Sequence, residues 1–163
     1  MLEDWDERVD AVWADDSLSD AQRIGRIDDL AGERAPGDAR ALFERAGARD
    51  SAGLETEAEP LYRRALEAGL DEYNQTRAVI QLASTIRNLG RVEESLRLLR
   101  AEYERGPDAP LHDGAAAFYA LALVSTGDAV AAASIALKTL APHLPRYTRS
   151  VTAYADDLLR EHD

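Results

Sequence analysis

The sequence predicts an all-α solenoid of antiparallel helix pairs, on three observations. Glycines recur 37 residues apart more often than ten randomly placed glycines would, in the pairs Gly32–Gly69, Gly69–Gly106, Gly53–Gly90 and Gly90–Gly127. Such a fixed spacing is typical of repeat proteins. Apolar residues such as Val79, Leu82 and Ile86 recur every three or four positions, as in amphipathic helices. No segment shows the period of two that predicts a half-buried strand.

The glycines of one series each separate two amphipathic pieces. The stretch "STIRNLGRVEESLRLL" at 84–99 shows this, with Gly90 in the middle, and Gly53 and Gly127 hold the same place. Glycine adopts positive φ without steric cost, so we expect left-handed turns at these three positions. The second series, Gly32, Gly69 and Gly106, follows the ends of helical patterns, and we expect the same conformation there.

This spacing divides a single domain, residues 1–163, into helix pairs that must stack, because one pair cannot bury its apolar face alone. We place repeats at 39–75, 76–112 and 113–149. Residues 145–163 predict a C-terminal capping helix whose apolar side carries Tyr147, Val151, Tyr154 and Leu158. Residues 1–38 are interpreted as a degenerate N-terminal helix pair in which Asp16, a residue type that tolerates the left-handed region, replaces the turn glycine.

Composition restricts the class of function. The net charge of −12 disfavours nucleic acid and anionic lipid as partners, although solubility alone explains such a charge. The chain has no cysteine, no apolar run long enough for a membrane span, and an N-terminus that does not resemble a secretory signal. We therefore expect a cytoplasmic protein that binds neither nucleic acid nor membrane.

Catalytic motifs are absent from the sequence. The three histidines, His112, His143 and His162, lack the i, i+4 spacing of a helical metal site, and paired acids such as Asp28–Asp29 fit solvated helix faces. No serine or threonine lies in a nucleophile motif, and no glycine-rich phosphate loop is present. We predict no catalytic residue, no metal site and no cofactor, and hence a protein that is not an enzyme.

The middle repeat carries a family resemblance. The stretch "AVIQLASTIRNLGRVEESLRLLRAEYERGP" resembles a tetratricopeptide repeat at Val79, Leu82, Ala83, Leu89, Gly90, Ser95, Leu99 and Pro107. The resemblance is strong over 39–140, and the spacing of 37 rather than about 34 residues is similar to longer-period bacterial members. It implies a right-handed TPR-like solenoid that binds a protein or peptide in a concave groove lined by the first helix of each repeat.

The resemblance also implies which residues face the groove. The first repeat contributes Arg40, Phe43, Glu44 and Gly47, the second Arg77, Ile80, Gln81, Ser84, Arg87 and Asn88, and the third Gly114, Ala117, Phe118, Leu121 and Val124. From these we predict the partner-binding set Arg40, Phe43, Arg77, Gln81, Ser84, Asn88, Phe118 and Leu121. Arginine and amide groups beside apolar residues suit a segment with acidic and apolar side chains.

Alternatives remain both for single residues and for the function. Arg77 and Arg87 also fit solvated surface arginines, and Phe118 and Leu121 also fit core residues packed on a neighbouring helix. A self-associating scaffold, with a homodimer formed through apolar groove or end surface, is the alternative function, because repeat arrays expose both ends. A small-molecule or metal-dependent activity is the third candidate function, and no motif favours it. The sequence does not identify the partner.

Overall fold

The computed structural model describes the backbone of residues 2–160 and the side chains of residues 4–160. Within this part of the chain there are nine α-helices, one short 3₁₀ helix and no strand. The helices are α1 (Leu2–Ala14), α2 (Asp20–Ala31), α3 (Ala39–Ser51), α4 (Glu55–Ala68), α5 (Glu72–Asn88), α6 (Val92–Tyr103), α7 (His112–Ser125), α8 (Ala129–Leu140) and α9 (Thr148–Arg160), with the 3₁₀ helix at Ala141–His143.

The helices stack in chain order. Each helix from α2 to α8 packs against the next, and α3 packs most extensively against α4. The first helices of successive pairs also touch, α3 with α5 and α5 with α7. Small buried residues on the packed faces, among them Ala46, Ala58, Ala83 and Ala120, let the helix backbones approach closely. The predicted all-α, TPR-like solenoid of antiparallel pairs is confirmed.

The turn glycines have the conformation that the sequence predicts. Gly90 has φ 85°, and the N–H of Arg91 donates to the carbonyl of Ile86 at 2.9 Å. The same turn occurs at Gly53 and Gly127, whose φ angles are 72° and 91°. No described atom lies within 4 Å of the place where a Cβ on Gly90 would lie. Glycine is therefore required at this position by the left-handed backbone. Packing would leave space for a side chain.

The second glycine series behaves differently at its first member. Gly69 and Gly106 are left-handed, with φ 89° and 94°, but Gly32 has φ −64° and a helical backbone. The expectation for Gly32 is wrong, because the chain continues past α2 in further helical turns and reverses at Gly37, which has φ 86°.

The turn between α1 and α2 also differs from the prediction. Asp16 does not adopt positive φ. This linker is longer than the three-residue turns at Gly53 and Gly90, and Asp15 stabilises it by accepting hydrogen bonds from the backbone N–H and hydroxyl of Ser17. A longer linker reverses the chain without a left-handed residue.

The second helices of the pairs begin at Glu55, Val92 and Ala129, each 37 residues after the one before. The first helices are less regular, and α5 begins four residues before the expected boundary at 76. The division of the chain into equal repeats stays a prediction.

Helix α9 packs on α8 about as extensively as α2 packs on α3. The hydroxyl of Ser134 donates to the carbonyl of Ala155 at 2.7 Å, and Lys138 pairs with Asp156 at 2.8 Å. Ala155 is fully buried, whereas Tyr147 and Tyr154 are 72% and 69% exposed. The expectation that both tyrosines face the solenoid is therefore wrong, because the inward face of α9 is centred on Ala155.

Candidate partner-binding site

A cavity of about 290 Å³ lies where the first helices α1, α3 and α5 meet. We call it the Asp50 cavity, and its lining residues are Trp13, Phe43, Glu44, Gly47, Asp50, Ser51, Tyr62, Arg77 and Gln81. Tyr62 is the one lining residue from a second helix, α4. The cavity brings two carboxylates, an arginine, an amide and three aromatic rings together.

The floor of the cavity is a hydrogen-bonded network. The hydroxyl of the fully buried Tyr62 lies 3.1 Å from Oδ2 of Asp50 and 2.9 Å from Oε1 of Gln81. The hydroxyl of Thr85 lies 3.0 Å from Oδ1 of Asp50 and 2.9 Å from the backbone carbonyl oxygen of Gln81, which share its one proton. Because a phenol has one proton, Tyr62 donates to only one of its two acceptor oxygens at a time, so Asp50 and Gln81 share its proton.

Asp50 is a carboxylate without a cationic partner. Among the described residues, no lysine, arginine or histidine nitrogen lies within 4 Å of it, and it occupies the last turn of α3, where a negative charge is disfavoured. Burial raises the pKa of the Asp50 carboxyl above its ordinary value, although hydrogen bonds from Thr85 and Tyr62 lower it, and the charge of Glu55 raises it further.

Both carboxylate oxygens of Glu44 have a partner within the protein. It is 2% exposed, and Nη2 of Arg40 lies 2.9 Å from its Oε1. The indole N–H of Trp13 donates to its Oε2 at 2.6 Å, which ties α1 to α3. Glu44 therefore connects α1 to α3 in the wall of the cavity. Asp50 is the lining carboxylate that remains available to a ligand.

Arg77 is the cation of the cavity. Its guanidinium carbon lies 4.9 Å from the centroid of the Phe43 ring, and its Nη1 donates to Oδ1 of Asn74 at 3.1 Å. Among the described residues no carboxylate lies within 4 Å of Arg77. Arg40 shares Asn74 at 2.7 Å and is otherwise paired with Glu44, so it does not add a free positive charge to the groove.

A profile of the tetratrico peptide repeat matches residues 39–158, which is most of the chain. The chain belongs to the tetratricopeptide repeat family. Such repeats generally mediate protein–protein interaction and are typically non-catalytic. No curated protein and no solved structure matches the chain.

The structure brings three residues of the predicted partner-binding set together in this tetratricopeptide domain, along with the groove-facing Glu44 and Gly47. Arg77, Gln81 and Phe43 line the Asp50 cavity. Phe43, however, is 2% exposed and packs in the core among α3, α4 and α5, so the expectation that its ring is offered to a partner is wrong. Ser84 is half-buried and Asn88 exposed, and both lie further along α5, outside the cavity lining.

The apolar residues of the predicted set lie elsewhere on the repeats. Phe118 is half-buried and packs on the core between α5 and α8, as its alternative interpretation expects. Leu121 is 46% exposed and lines a separate groove of about 520 Å³. We call it the α7–α8 groove, and it is lined by Ala117, Ala120, Leu121, Val124, Ala129, Ala132, Ala133 and Ala136. The predicted continuous surface is thus divided into a polar and an apolar part.

Four cavity residues escaped the sequence prediction, namely Trp13, Asp50, Ser51 and Tyr62. The spacing of 37 residues carries a signal for two of them, because Trp13 and Asp50 share one repeat position with the predicted groove residues Arg87 and Val124. Tyr62 lies on a second helix, and its position in a repeat pattern does not reveal that its hydroxyl reaches the first-helix side.

No helix within residues 2–160 is long and apolar enough to cross a membrane. No group of three or more metal-ligating side chains occurs in the part of the chain that the structure describes. The histidine ring of His143 lies 2.9 Å from a carboxylate oxygen of Asp113, with both side chains exposed, and His112 stacks on Tyr103.

Proposed function

We propose that this chain is a non-enzymatic module that binds a protein or peptide segment along its first helices, at the Asp50 cavity. The observation that carries the proposal is the polar character of that cavity, since Asp50 and Arg77 both lie there without an oppositely charged partner among the described residues. Binding sites concentrate such polar groups in concave surface with apolar walls. The expected cytoplasmic location stays a prediction.

The face of α5 beside the cavity supports an extended partner. Arg77, Gln81, Ser84 and Asn88 follow one another at intervals of four, three and four residues, so they lie on one face of the helix. This row offers a guanidinium, two amides and a hydroxyl along the helix. Amide side chains both donate and accept, as the backbone of a bound segment requires.

The test combines a double variant with hydrogen exchange. Arg77→Glu with Gln81→Ala should weaken capture of a partner from the native lysate while the helical circular-dichroism signal is kept. Arg64→Glu is the matched control, because Arg64 is exposed on the second helix α4. With a captured partner, amide protection should concentrate in α3 and α5. Protection confined to α4 and α6, or equal capture by the double variant and the control, would overturn the proposal.

A second candidate function, self-association, rests on the α7–α8 groove. Position by position in the 37-residue spacing, Ala117 corresponds to Ile80 and Phe43, which are 7% and 2% exposed because the next first helix covers them. Helix α9 packs on α8 and leaves Leu121 and Val124 exposed at 46% and 55%. We propose that a second copy of this chain covers this surface.

A further inference from the structure

We infer that the Asp50 cavity takes the cationic end of a lysine or arginine side chain from the partner segment, which Asp50 holds as its counter-ion. This inference rests on the proposed function and gives the partner its chemistry. It differs from the sequence expectation of an acidic segment, because Arg40, one of the two arginines on which that expectation depends, is paired within the protein, and Asp50 adds an unpaired carboxylate to the cavity that Arg77 also lines. Arg40 pairs with Glu44, and Arg77 covers the ring of Phe43.

Asp50 lies in the last turn of α3, next to two neutral hydroxyl groups. Its two carboxylate oxygens each accept one hydroxyl, from Thr85 and Tyr62, and each oxygen keeps a further lone pair. Neutral hydroxyls hold the group in place without neutralising its charge. A carboxylate that is partly buried, at the end of a helix and without a cation gains more from a ligand cation than a solvated surface carboxylate does.

The walls of the cavity fit the stem of a basic side chain. Half-buried Trp13 provides aromatic surface, with the buried rings of Phe43 and Tyr62 behind the cavity, and such surface attracts cations as well as apolar methylenes. Gly47 leaves this space open, since a Cβ at that position would lie 3.4 Å from the ring of Trp13. A volume of about 290 Å³ is at the small end for ligand pockets, which favours one side chain over a larger cofactor.

Arg77 does not occupy the place of the ligand cation. It lies eight residues before Thr85 on α5, which corresponds to about 12 Å along the helix axis. Thr85 contacts Asp50, whereas Arg77 reaches Asn74 in the opposite direction. The net charge of −12 adds a long-range attraction for a basic segment and a repulsion for an acidic one.

The two tryptophans make the test direct. The indole N–H of Trp13 donates to Glu44 in the cavity wall, whereas that of Trp5 donates to the carbonyl of Leu30 in a buried core. Their two indole resonances in an amide-correlation NMR spectrum therefore report the cavity and a built-in control. The probes are blocked alanine pentapeptides with a central lysine, Nε-acetyl-lysine or glutamate. The lysine peptide should shift the Trp13 resonance saturably and leave Trp5 unchanged.

Matched variants complete the experiment. Asp50→Asn should weaken the lysine peptide by about thirtyfold or more, the effect of losing one partner of a buried hydrogen-bonded charge pair. Glu93→Gln removes one charge from the exposed surface of α6 and should leave the affinity unchanged. Gly47→Val, which fills the cavity without altering the charge, should also weaken binding of the lysine peptide. This variant tests the inference even if Asp50→Asn fails to fold.

Several results would overturn the inference. These are a stronger response to the glutamate or acetyl-lysine peptide, equal affinity in Asp50→Asn and Glu93→Gln, and no Trp13 shift with any peptide. Butylamine that binds as tightly as the lysine peptide would assign the site to a free amine instead of a protein segment. If a captured partner protects α3 and α5 while the lysine peptide gives no shift, the proposed function stands and this inference fails.

Discussion

The hydroxyl of Tyr62 on α4 lies 3.1 Å from Oδ2 of Asp50 on α3. This contact joins the two helices of one pair across a fully buried ring, and Thr85 extends it to α5. The network satisfies the oxygens of Asp50 but does not neutralise the charge. Asp50 is therefore well placed for a ligand and unfavourable for the folded state, a combination that is common at functional sites.

Replacing Asp50 by Asn should keep or raise the melting temperature at neutral pH. Burial raises the pKa of Asp50 in the folded protein despite the hydrogen bonds from Thr85 and Tyr62, so the folded state binds the proton more tightly than the unfolded chain does. The contribution of Asp50 to stability is then complete below the unfolded pKa of about 3.9 and is lost as pH rises through the raised folded pKa. The advantage of Asp50→Asn should grow over that window and stay constant above it.

Thermal melts of both proteins from pH 3 to pH 8 measure this effect. Asp28 provides a control of opposite sign. Burial alone would raise its pKa, but hydrogen bonds from Arg49 and Arg45 outweigh burial and lower it. Asp28→Asn should therefore destabilise the protein at neutral pH, and its disadvantage should shrink as pH falls. A lower melting temperature for Asp50→Asn at pH 7 would contradict the prediction for Asp50.

Gly90→Val should lower the free energy of unfolding by about 1–3 kcal/mol, because a β-branched residue is strained at positive φ. Since no described atom lies within 4 Å of the Cβ position, the loss measures backbone strain alone. Gly25→Ala is the matched control. Gly25 lies inside α2 with equally open space, so alanine should stabilise that helix by up to about 1 kcal/mol. Urea unfolding gives both values, and equal stability of Gly90→Val and wild type would contradict the turn assignment.

The turns show which part of the fold a sequence can predict. Gly53, Gly90 and Gly127 are predictable because a left-handed residue in a short turn leaves glycine as the usual choice. Gly32 and Asp16 are not, because a longer connection can reverse the chain at other residues, as Gly37 does. The number of residues between two helices decides whether the turn restricts the residue type.

The sequence predicts which residues of the first helices line the candidate site, but it does not predict their burial or the contacts that cross between helices. Arg77 and Gln81 follow from the repeat position on the first helices, and both line the cavity. The burial of Phe43 depends on how closely α5 approaches α3, and the role of Tyr62 depends on a side chain that crosses between helices. Neither property is periodic, so a repeat pattern does not contain it.

Ala155→Leu should detach or strain the C-terminal helix. Ala155 is fully buried, and the hydroxyl of Ser134 reaches its carbonyl at 2.7 Å, so a larger side chain has no space at this contact. Overpacking of this kind typically lowers the free energy of unfolding by about 1–3 kcal/mol. Tyr154→Ala, next to it but 69% exposed, should change stability by less than about 0.5 kcal/mol. Urea unfolding distinguishes the two, and a stronger effect of Tyr154→Ala would place the inward face of α9 elsewhere.

Self-association through the α7–α8 groove predicts a salt dependence opposite to that of a basic ligand. Two copies with a net charge of −12 repel each other, so added salt should strengthen a homodimer, whereas it should weaken binding of a lysine segment at Asp50.

Leu121→Asp places a charge in the groove and should weaken a dimer at least about tenfold, since burial of a leucine contributes about 1.5–3 kcal/mol. Tyr73→Asp makes the same kind of change at an exposed site on α5 and should have no effect. Light scattering at micromolar concentration and rising salt measures both variants. A wild-type protein that stays monomeric throughout, or a dimer that Leu121→Asp leaves intact, would remove the α7–α8 groove as the surface that a second copy covers.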